Sequence, residues 1–286
     1  MRLSIHHTTK YRYARPVSLQ PHRLALRPRS SHDMAVLGSS VSCSPVANLE
    51  WTQDVFGNLI ATATFADLTE ELVIVSESDV VQSASAWPVF QTDPSVHSFP
   101  FQYSPDEATD LGALRIAEHP DPRGEVGGWA RAFVRGEPTD TLSLLKDLNA
   151  GVLGAITYRL RDEEGTQAPG ETLALGSGSC RDIAALFIDA VRNLGFGARA
   201  VSGYMFDPQA LADDPGSTHA WAEVYLPGAG WIAFDPTHRR VGGNSLIPIA
   251  VARSNRQIMP VIGGYLGDPD DFAGMDVIVE IRAGSV

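Results

Sequence analysis

Cys180, His219 and Asp235 are the side chains of this sequence whose types and settings suit a nucleophile, a base and a group that orients the base. Cys180 comes after Gly176-Ser177-Gly178-Ser179, a run that disfavours helix until about Ser179. Beyond it Ile183, Leu186, Phe187, Ala190, Val191 and Leu194 recur at i, i+3, i+4 spacing, and Gly195 supplies a stop. This spacing predicts a helix that opens at Cys180. There the unpaired backbone N–H groups and the helix dipole favour a thiolate over a thiol, which makes a cysteine nucleophilic near neutral pH. A cysteine also serves as a small buried apolar residue, so the case for a nucleophile rests on the partners available to it later in the chain.

Residues 218–226 alternate as a strand, Pro227-Gly228-Ala229-Gly230 turns, and residues 231–237 read as the returning strand. His219 and Asp235 share a face of this hairpin only if paired residue numbers sum to an even value. A three-residue loop at 226–228 puts Asp235 opposite His219, and one at 227–229 puts it opposite Trp221; a four-residue loop needs a bulge. In either three-residue register Asp235 can accept from one imidazole nitrogen while the other faces Cys180. That is the arrangement of thiol acyl-transfer enzymes.

The run from Gly176 to Tyr204, followed by His219 to Thr237, resembles the core of the transglutaminase-like superfamily of papain-like cysteine enzymes. In that family the Cys opens a helix, the His begins a strand and the Asp ends the next; Cys180, His219 and Asp235 match. Bacterial members place a β-rich domain before this core, and the resemblance extends over most of the chain. One segment departs: Ala252-Arg253-Ser254-Asn255-Arg256-Gln257 stands where a Gly-Arg-Asp-Tyr-like stretch is expected. The resemblance implies an α+β fold, with an antiparallel β-sandwich or barrel first and then a core whose catalytic helix packs on an antiparallel sheet.

These assignments imply attack of Cys180 on an amide carbonyl, with a thioester intermediate. His219 keeps the sulfur ionised and protonates the departing amine, and Asp235 fixes the imidazole tautomer. The Cys180 backbone N–H is the first candidate oxyanion donor and Tyr158 a candidate second. Trp221, on the His219 face, either walls the acyl pocket or shields the His219–Asp235 pair, or is a core aromatic. Glu223 on that face suits a satisfied sheet residue. Asp182 is expected to complement the helix start and point away from the sulfur, toward Arg181 or the sheet. His238 becomes a rival base only under another register.

With water as acceptor the chain is a peptidase or amidase, the resemblance implying hydrolysis at least as readily; with an amine it is a protein-glutamine transglutaminase. A non-catalytic peptide-binding module that keeps the fold is a third reading. In all three the partner is a peptide or protein. The serines of Gly176-Ser177-Gly178-Ser179 miss the Gly-x-Ser-x-Gly pattern, and neither clustered Cys/His spacings nor a dinucleotide loop is present, so no metal and no cofactor are expected.

The remaining sequence must position these groups. At 286 residues with 44% hydrophobic content, two domains with packed cores are possible. Short alternating segments predict strands at 3–13, 23–27, 35–43, 47–53, 59–65 and 71–81, with a hairpin connection at 54–58. The expected partition is a β-rich domain over 1–86, a proline-rich linker anchored by aromatics over 87–105, and a catalytic domain over 106–286. Within the last, helices are expected near 106–118, 123–135 and 140–153, a strand over 155–160, and a closing strand over 275–281. The polar stretch 161–167 is either a lip over the cleft or a plain connection.

The net charge of −12 is uneven: residues 1–30 carry seven Arg or Lys and no acid, whereas 31–114 carry twelve acids and no Arg or Lys. Interleaved with strand residues, the basic start suits a solvated sheet face opposite acidic neighbours, and the acidic whole argues against a nucleic-acid partner. No apolar run reaches membrane-spanning length and the N-terminus lacks a signal core, so a soluble, cytoplasmic protein without a membrane partner is expected. The two cysteines, Cys43 and Cys180, are expected to stay unbridged.

Overall fold

The computed structural model describes residues 1–161, 163–207 and 216–284. Period-two alternation over the first 82 residues builds two antiparallel sheets from β1 (Arg2–Leu19), β2 (His22–Leu24), β3 (Met34–Ser44), β4 (Asn48–Gln53), β5 (Leu59–Thr64) and β6 (Leu68–Gln82). One sheet joins β1, β6 and β3, and the other joins β2, β5 and β4. Tyr13, Val17, Leu24, Ala61, Leu72 and Ile74 fill the space between them. The basic residues of β1 meet acids on neighbouring strands: Lys10 lies 2.7 Å from Glu71, Arg2 lies 3.6 Å from Asp79, and Arg12 pairs with Asp276. Such exposed pairs add little stability each, but they match charge across the sheet as the sequence suggested.

The linker is strapped to the second half of the chain. Phe99 stacks on Phe196 with ring centroids 5.5 Å apart, and the Asp93 N–H donates to the Pro227 carbonyl at 2.8 Å. The helices are α1 (Pro105–Leu111), α2 (Glu125–Arg131), α3 (Thr141–Ala155), α4 (Pro169–Leu175) and α5 (Cys180–Asn193). The side chains of Ser104 and Asp140 accept backbone N–H groups and so start α1 and α3.

The core sheet is antiparallel, in the order Arg240–Val241, Gly230–Asp235, Ser217–Leu226, Gly197–Met205, Leu246–Ala252. α5 lies on it, burying Ile183, Leu186, Phe187, Ala190 and Val191 against Ala198, Ala222, Val224, Ile232 and Phe234. Each large side chain buried this way stabilises the fold by roughly 1.5–3 kcal/mol. The opposite face of the sheet carries Val201, Trp221, Leu246 and Val251 and is covered by Phe56 from the β4–β5 connection. Asn58, beside Phe56, clamps the two together. It donates to the Val251 carbonyl at 2.7 Å and accepts the Val251 N–H at 2.9 Å.

The expected catalytic domain over 106–286 does not keep its C-terminal end. Phe272–Ala283 runs antiparallel to β1 from Leu3↔Ala283 to Tyr13↔Phe272, Val261–Ile262 pairs with β2, and Tyr265–Leu266 pairs with β1. These strands complete the N-terminal sheets. Their side chains Val279 and Ile281 join Leu3, Ile5, Tyr204, Phe206 and Ile247 in one buried cluster between the two halves. Alternation marks 275–281 as a strand, but a partner at the other end of the chain leaves no local signature. Two smaller expectations also change. The 155–160 strand contracts to Thr157–Tyr158, paired in parallel with Ser177–Gly178, and the first helix gives way to a 3₁₀ turn over Gly112–Arg115, with Gly112 at φ +43°.

Candidate active site

Ser179 and Asp182 set the start of α5. Asp182 accepts the Ser179 N–H at 2.8 Å and its hydroxyl at 2.7 Å, which fixes the turn that presents Cys180. The same carboxylate takes Arg161 Nη1 on both oxygens at 2.9 Å and the Gln167 N–H at 2.7 Å. Asp182 therefore turns away from the sulfur, with Arg161 and not Arg181 as its cation. Burial pushes its carboxyl up, but the Gln167 and Ser179 donors and Arg161 hold it below the usual carboxylate value. Arg181 instead donates to the carbonyls of Gly165 at 2.6 Å and Arg161 at 3.3 Å. The polar stretch is thus fastened to the first turn of α5 at both of its ends.

The hairpin ladder runs from Leu226↔Gly230 to Ala222↔Phe234. This is the three-residue loop at 227–229, so Asp235 falls opposite Trp221 and diagonal to His219. His219 Nε2 lies 3.0 Å from Asp235 Oδ2, a contact in which the ring N–H approaches off line. Cys180 and His219 line the same cavity, and with Nε2 beside Asp235 it is Nδ1 that is left to face the sulfur. One imidazole therefore stands between nucleophile and carboxylate.

The electrostatics reflect these contacts. Burial pushes the Cys180 thiol up, but the His219 hydrogen bond and charge, the Ala220 backbone N–H and Arg181 outweigh it, and the net value lies below that of an ordinary thiol. Burial lowers His219, yet its bonds to Asp235 and Cys180 raise it to about 9. Asp235 is raised by burial and lowered further by His219 and His238, ending well below the carboxylate range. All three shifts favour the thiolate–imidazolium–carboxylate state.

Two contributors are not evident in the sequence. The Ala220 N–H on the sulfur comes from strand geometry and carries no residue signal. His238, which the sequence considered only as a rival base under another register, joins as a second partner of the carboxylate: its Nδ1 lies 2.8 Å from Asp235 Oδ2, in the turn that the Thr237 N–H closes onto Asp235 Oδ1 at 3.0 Å. His219, Asp235 and His238 also bring three donor atoms within 4.8 Å of one another, close enough to share a metal ion; here one carboxylate oxygen serves both rings.

Of the remaining candidates, Trp221 is 1% exposed and packs with Val201, Leu246 and Val251, so it is the core aromatic and walls no cleft. Its ring lies nearly parallel to that of His219, 6.1 Å away. Glu223 is satisfied by Arg199 at 2.7 Å. Tyr158 is half-exposed beside the Ser177–Gly178 strand. Burial raises its hydroxyl and the charge of Cys180 raises it further, but it is not among the side chains that line the cavity over Cys180.

A cavity of about 240 Å³ opens over Cys180 and His219. Its other wall is the N-terminal sheet: Thr9 and Tyr11 of β1, with Met275 and Val277 of the closing strand. The segment after Ala252 adds Asn255, Ile258 and Met259, with Asn255 Nδ2 donating to the Arg181 carbonyl at 2.6 Å. The period-two spacing of the sheet residues shows in the sequence, but their place at the cleft depends on the distant pairing of Phe272–Ala283 with β1.

Residues 3–81 match the family described as the bacterial transglutaminase-like N-terminal region, and residues 127–236 match the transglutaminase-like superfamily. An uncharacterised protein of Mycobacterium leprae is 26% identical over 301 aligned residues, 98% of this chain and 98% of that one. An uncharacterised Mycobacterium tuberculosis protein is 25% identical over 305, covering 98% of this chain and 92% of that one. Among solved structures, a protein of Cytophaga hutchinsonii, provisionally called a cysteine protease, superposes with a TM-score of 0.71 at 19% identity, over 100% of this chain and 92% of that one. At that identity the likeness is one of fold.

Proposed function

We propose that this chain, which belongs to the transglutaminase-like superfamily, hydrolyses amide bonds of peptides or proteins through a thioester on Cys180. The observation that carries the proposal is the single imidazole of His219, which lines one cavity with Cys180 and lies 3.0 Å from Asp235. The provisional naming of the Cytophaga hutchinsonii protein as a protease points the same way.

In the reaction, Cys180 Sγ forms a bond to the carbonyl carbon and the π electrons move onto oxygen. The Cys180 N–H, first in its helix and without an intrahelical acceptor, donates to that oxyanion. As the intermediate collapses, the C–N bond breaks and the amine leaves with the proton of His219 Nδ1. The now neutral imidazole takes a proton from water, whose oxygen attacks the thioester, and the acid and thiolate separate. Asp235 keeps the ring oriented and stabilises its charged form throughout.

The test is alkylation of Cys180 and Cys43 by iodoacetamide, mapped by peptide mass. Cys180 is expected to react fast at pH 6, where an ordinary thiol, with a pKa of about 8.5, is largely protonated. Cys43, pushed up to about 11 by burial, stays slow. Peptide hydrolysis and amine incorporation are then measured side by side. A Cys180 no faster than Cys43 removes the enzyme reading in favour of a binding module, and amine incorporation without cleavage replaces hydrolysis by transglutamination.

A further inference from the structure

We infer that the face of β1 and Phe272–Ala283 that meets Cys180 is the specificity wall of the site. The substrate it selects is a peptidyl group with a large, uncharged, apolar side chain within two residues of the reacting carbonyl, on its acyl side. The inference rests on the proposal that Cys180 is the nucleophile.

The wall is built by register. Tyr11 pairs with Met275 and Thr9 with Val277, and partners across a ladder share a face, so four side chains project together toward the sulfur. The polar atoms of His7 and Thr9 on that face are already engaged, which leaves the Tyr11 hydroxyl as its one polar group without a protein partner among the described residues. His7 Nδ1 lies 2.9 Å from the Tyr204 hydroxyl and its Nε2 lies 2.9 Å from Thr9 Oγ1. The rest of what this face turns toward the cavity is hydrocarbon and thioether: Met275 is 50% exposed and Val277 42%, beside a reactive group and with no side chain covering them fully.

Charge and size narrow the occupant. Among the described residues Arg181 is the one Arg, Lys, Asp or Glu side chain that lines the cavity, and its Nε and Nη2 are held by the carbonyls of Gly165, Arg161 and Glu163. An ionised substrate side chain would lose its hydration there, and the two cations of the lining, His219 and Arg181, already have partners of their own. The amide of a glutamine would find one unpaired acceptor in the lining, Asn255 Oδ1, and would leave its other hydrogen bonds unmade. The volume of about 240 Å³ exceeds the roughly 150 Å³ that takes a benzene ring, so it accepts one large side chain with a piece of main chain. Met259 and Met275 come from different parts of the chain and are both flexible, so the pocket adapts to shape while rejecting polarity. Leucine, methionine and phenylalanine are therefore expected to serve alike.

The experiment uses the full chain and peptidyl vinyl sulfones that carry Leu, Met, Phe, Gln or Asp at each of the two residues preceding the electrophile. Inactivation rates are read as the mass of the Cys180 adduct and divided by the iodoacetamide rate of the same protein. The apolar members are expected to react at least about tenfold faster than the Gln and Asp members, a modest figure for an apolar pocket. In Met275→Asp that preference collapses, and in Met275→Leu it is retained. Val277→Asp, at a second exposed position of the strand, supplies the same comparison should the first variant fold poorly. No preference in a chain whose thiol reacts fast with iodoacetamide overturns the wall and leaves the nucleophile standing, as does a preference indifferent to residues 275 and 277. A thiol that iodoacetamide finds ordinary overturns both.

Discussion

His238 Nδ1 lies 2.8 Å from Asp235 Oδ2, the same oxygen that stands 3.0 Å from His219 Nε2. The two rings meet nearly edge to face with centroids 5.2 Å apart. Because one oxygen answers two donors, each imidazole weakens the hold of the carboxylate on the other. His238 is one-third exposed at its side chain, whereas His219 and Asp235 are buried, so solvent reaches the triad from the His238 side.

Replacing His238 by Ala is expected to return the whole of that oxygen to His219. The imidazolium is then better stabilised, and the value of about 9 moves upward, carrying the alkaline limb of the pH–rate profile with it. Asp235→Ala works in the opposite sense. It removes the orienting carboxylate and lowers kcat by about 10³–10⁴-fold, by analogy with other triads. A His238→Ala profile that superposes on wild type would show that the shared oxygen has no consequence for the proton on His219.

Acyl transfer and alkylation are expected to separate at high pH. The folded value of Cys180 is depressed, so its thiolate is present above that value and is lost as pH falls through it. That of His219 is raised, so its proton is held until pH passes about 9. Hydrolysis needs both forms and gives a bell, whereas alkylation needs only the thiolate and rises to a plateau. In His219→Ala the ascending limb of alkylation moves above the ordinary thiol range, since burial remains and the counter-charge is gone. A limb that stays in place would assign the thiolate to the helix start instead of to His219.

The helix that opens at Cys180 and the hairpin were legible because their signals are local. Gly176–Ser179 disfavours helix, Ile183 to Leu194 repeats with helical period, and an even sum of residue numbers is required before His219 and Asp235 can share a face. Local rules could not choose between loops at 226–228 and 227–229, and they could not say what covers the His219 face. Phe56 does, which turns Trp221 into core with Val201, Leu246 and Val251. Nor could they join Phe272–Ala283 to β1, since a strand carries its alternation but not the address of its partner. The cleft wall was invisible for that reason alone.

The bond between Asp182 and Arg161 is expected to support both stability and the site. Asp182 is fully buried and Arg161 largely so. Asp182→Ala takes from the guanidinium its buried partner, leaving only the exposed Glu163 at 3.5 Å, and strips the Ser179 and Gln167 donors of their acceptor, at a cost of about 3–5 kcal/mol. The folded value of Asp182 is depressed, so its contribution is complete above the unfolded value near 4 and disappears as pH falls through the folded one. Urea denaturation between pH 3 and 7 should therefore show wild type losing more stability on acidification than Asp182→Asn. Parallel curves for the two proteins would place the acid sensitivity at other carboxylates.

The two halves of the molecule are expected to unfold together, and Ile281 tests this. It is 1% exposed in the cluster that joins Leu3 and Ile5 of β1 to Tyr204, Phe206 and Ile247 of the core sheet. Truncation to Ala removes buried hydrocarbon and costs about 2–5 kcal/mol. The two cysteines report the outcome separately. Cys43 sits in β3 and gains reactivity when the N-terminal sheets open, whereas Cys180 loses its fast phase when the core opens. Because Phe272–Ala283 belongs to the sheets of one half and packs against the strands of the other, neither can open without exposing this cluster. Pulse alkylation across a urea series should then give coincident midpoints for Cys43 and Cys180, both displaced equally in Ile281→Ala. Midpoints that diverge, or a shift confined to Cys43, would mean that the sandwich and the core are separate cooperative units, with the cleft wall free to move against the thiol.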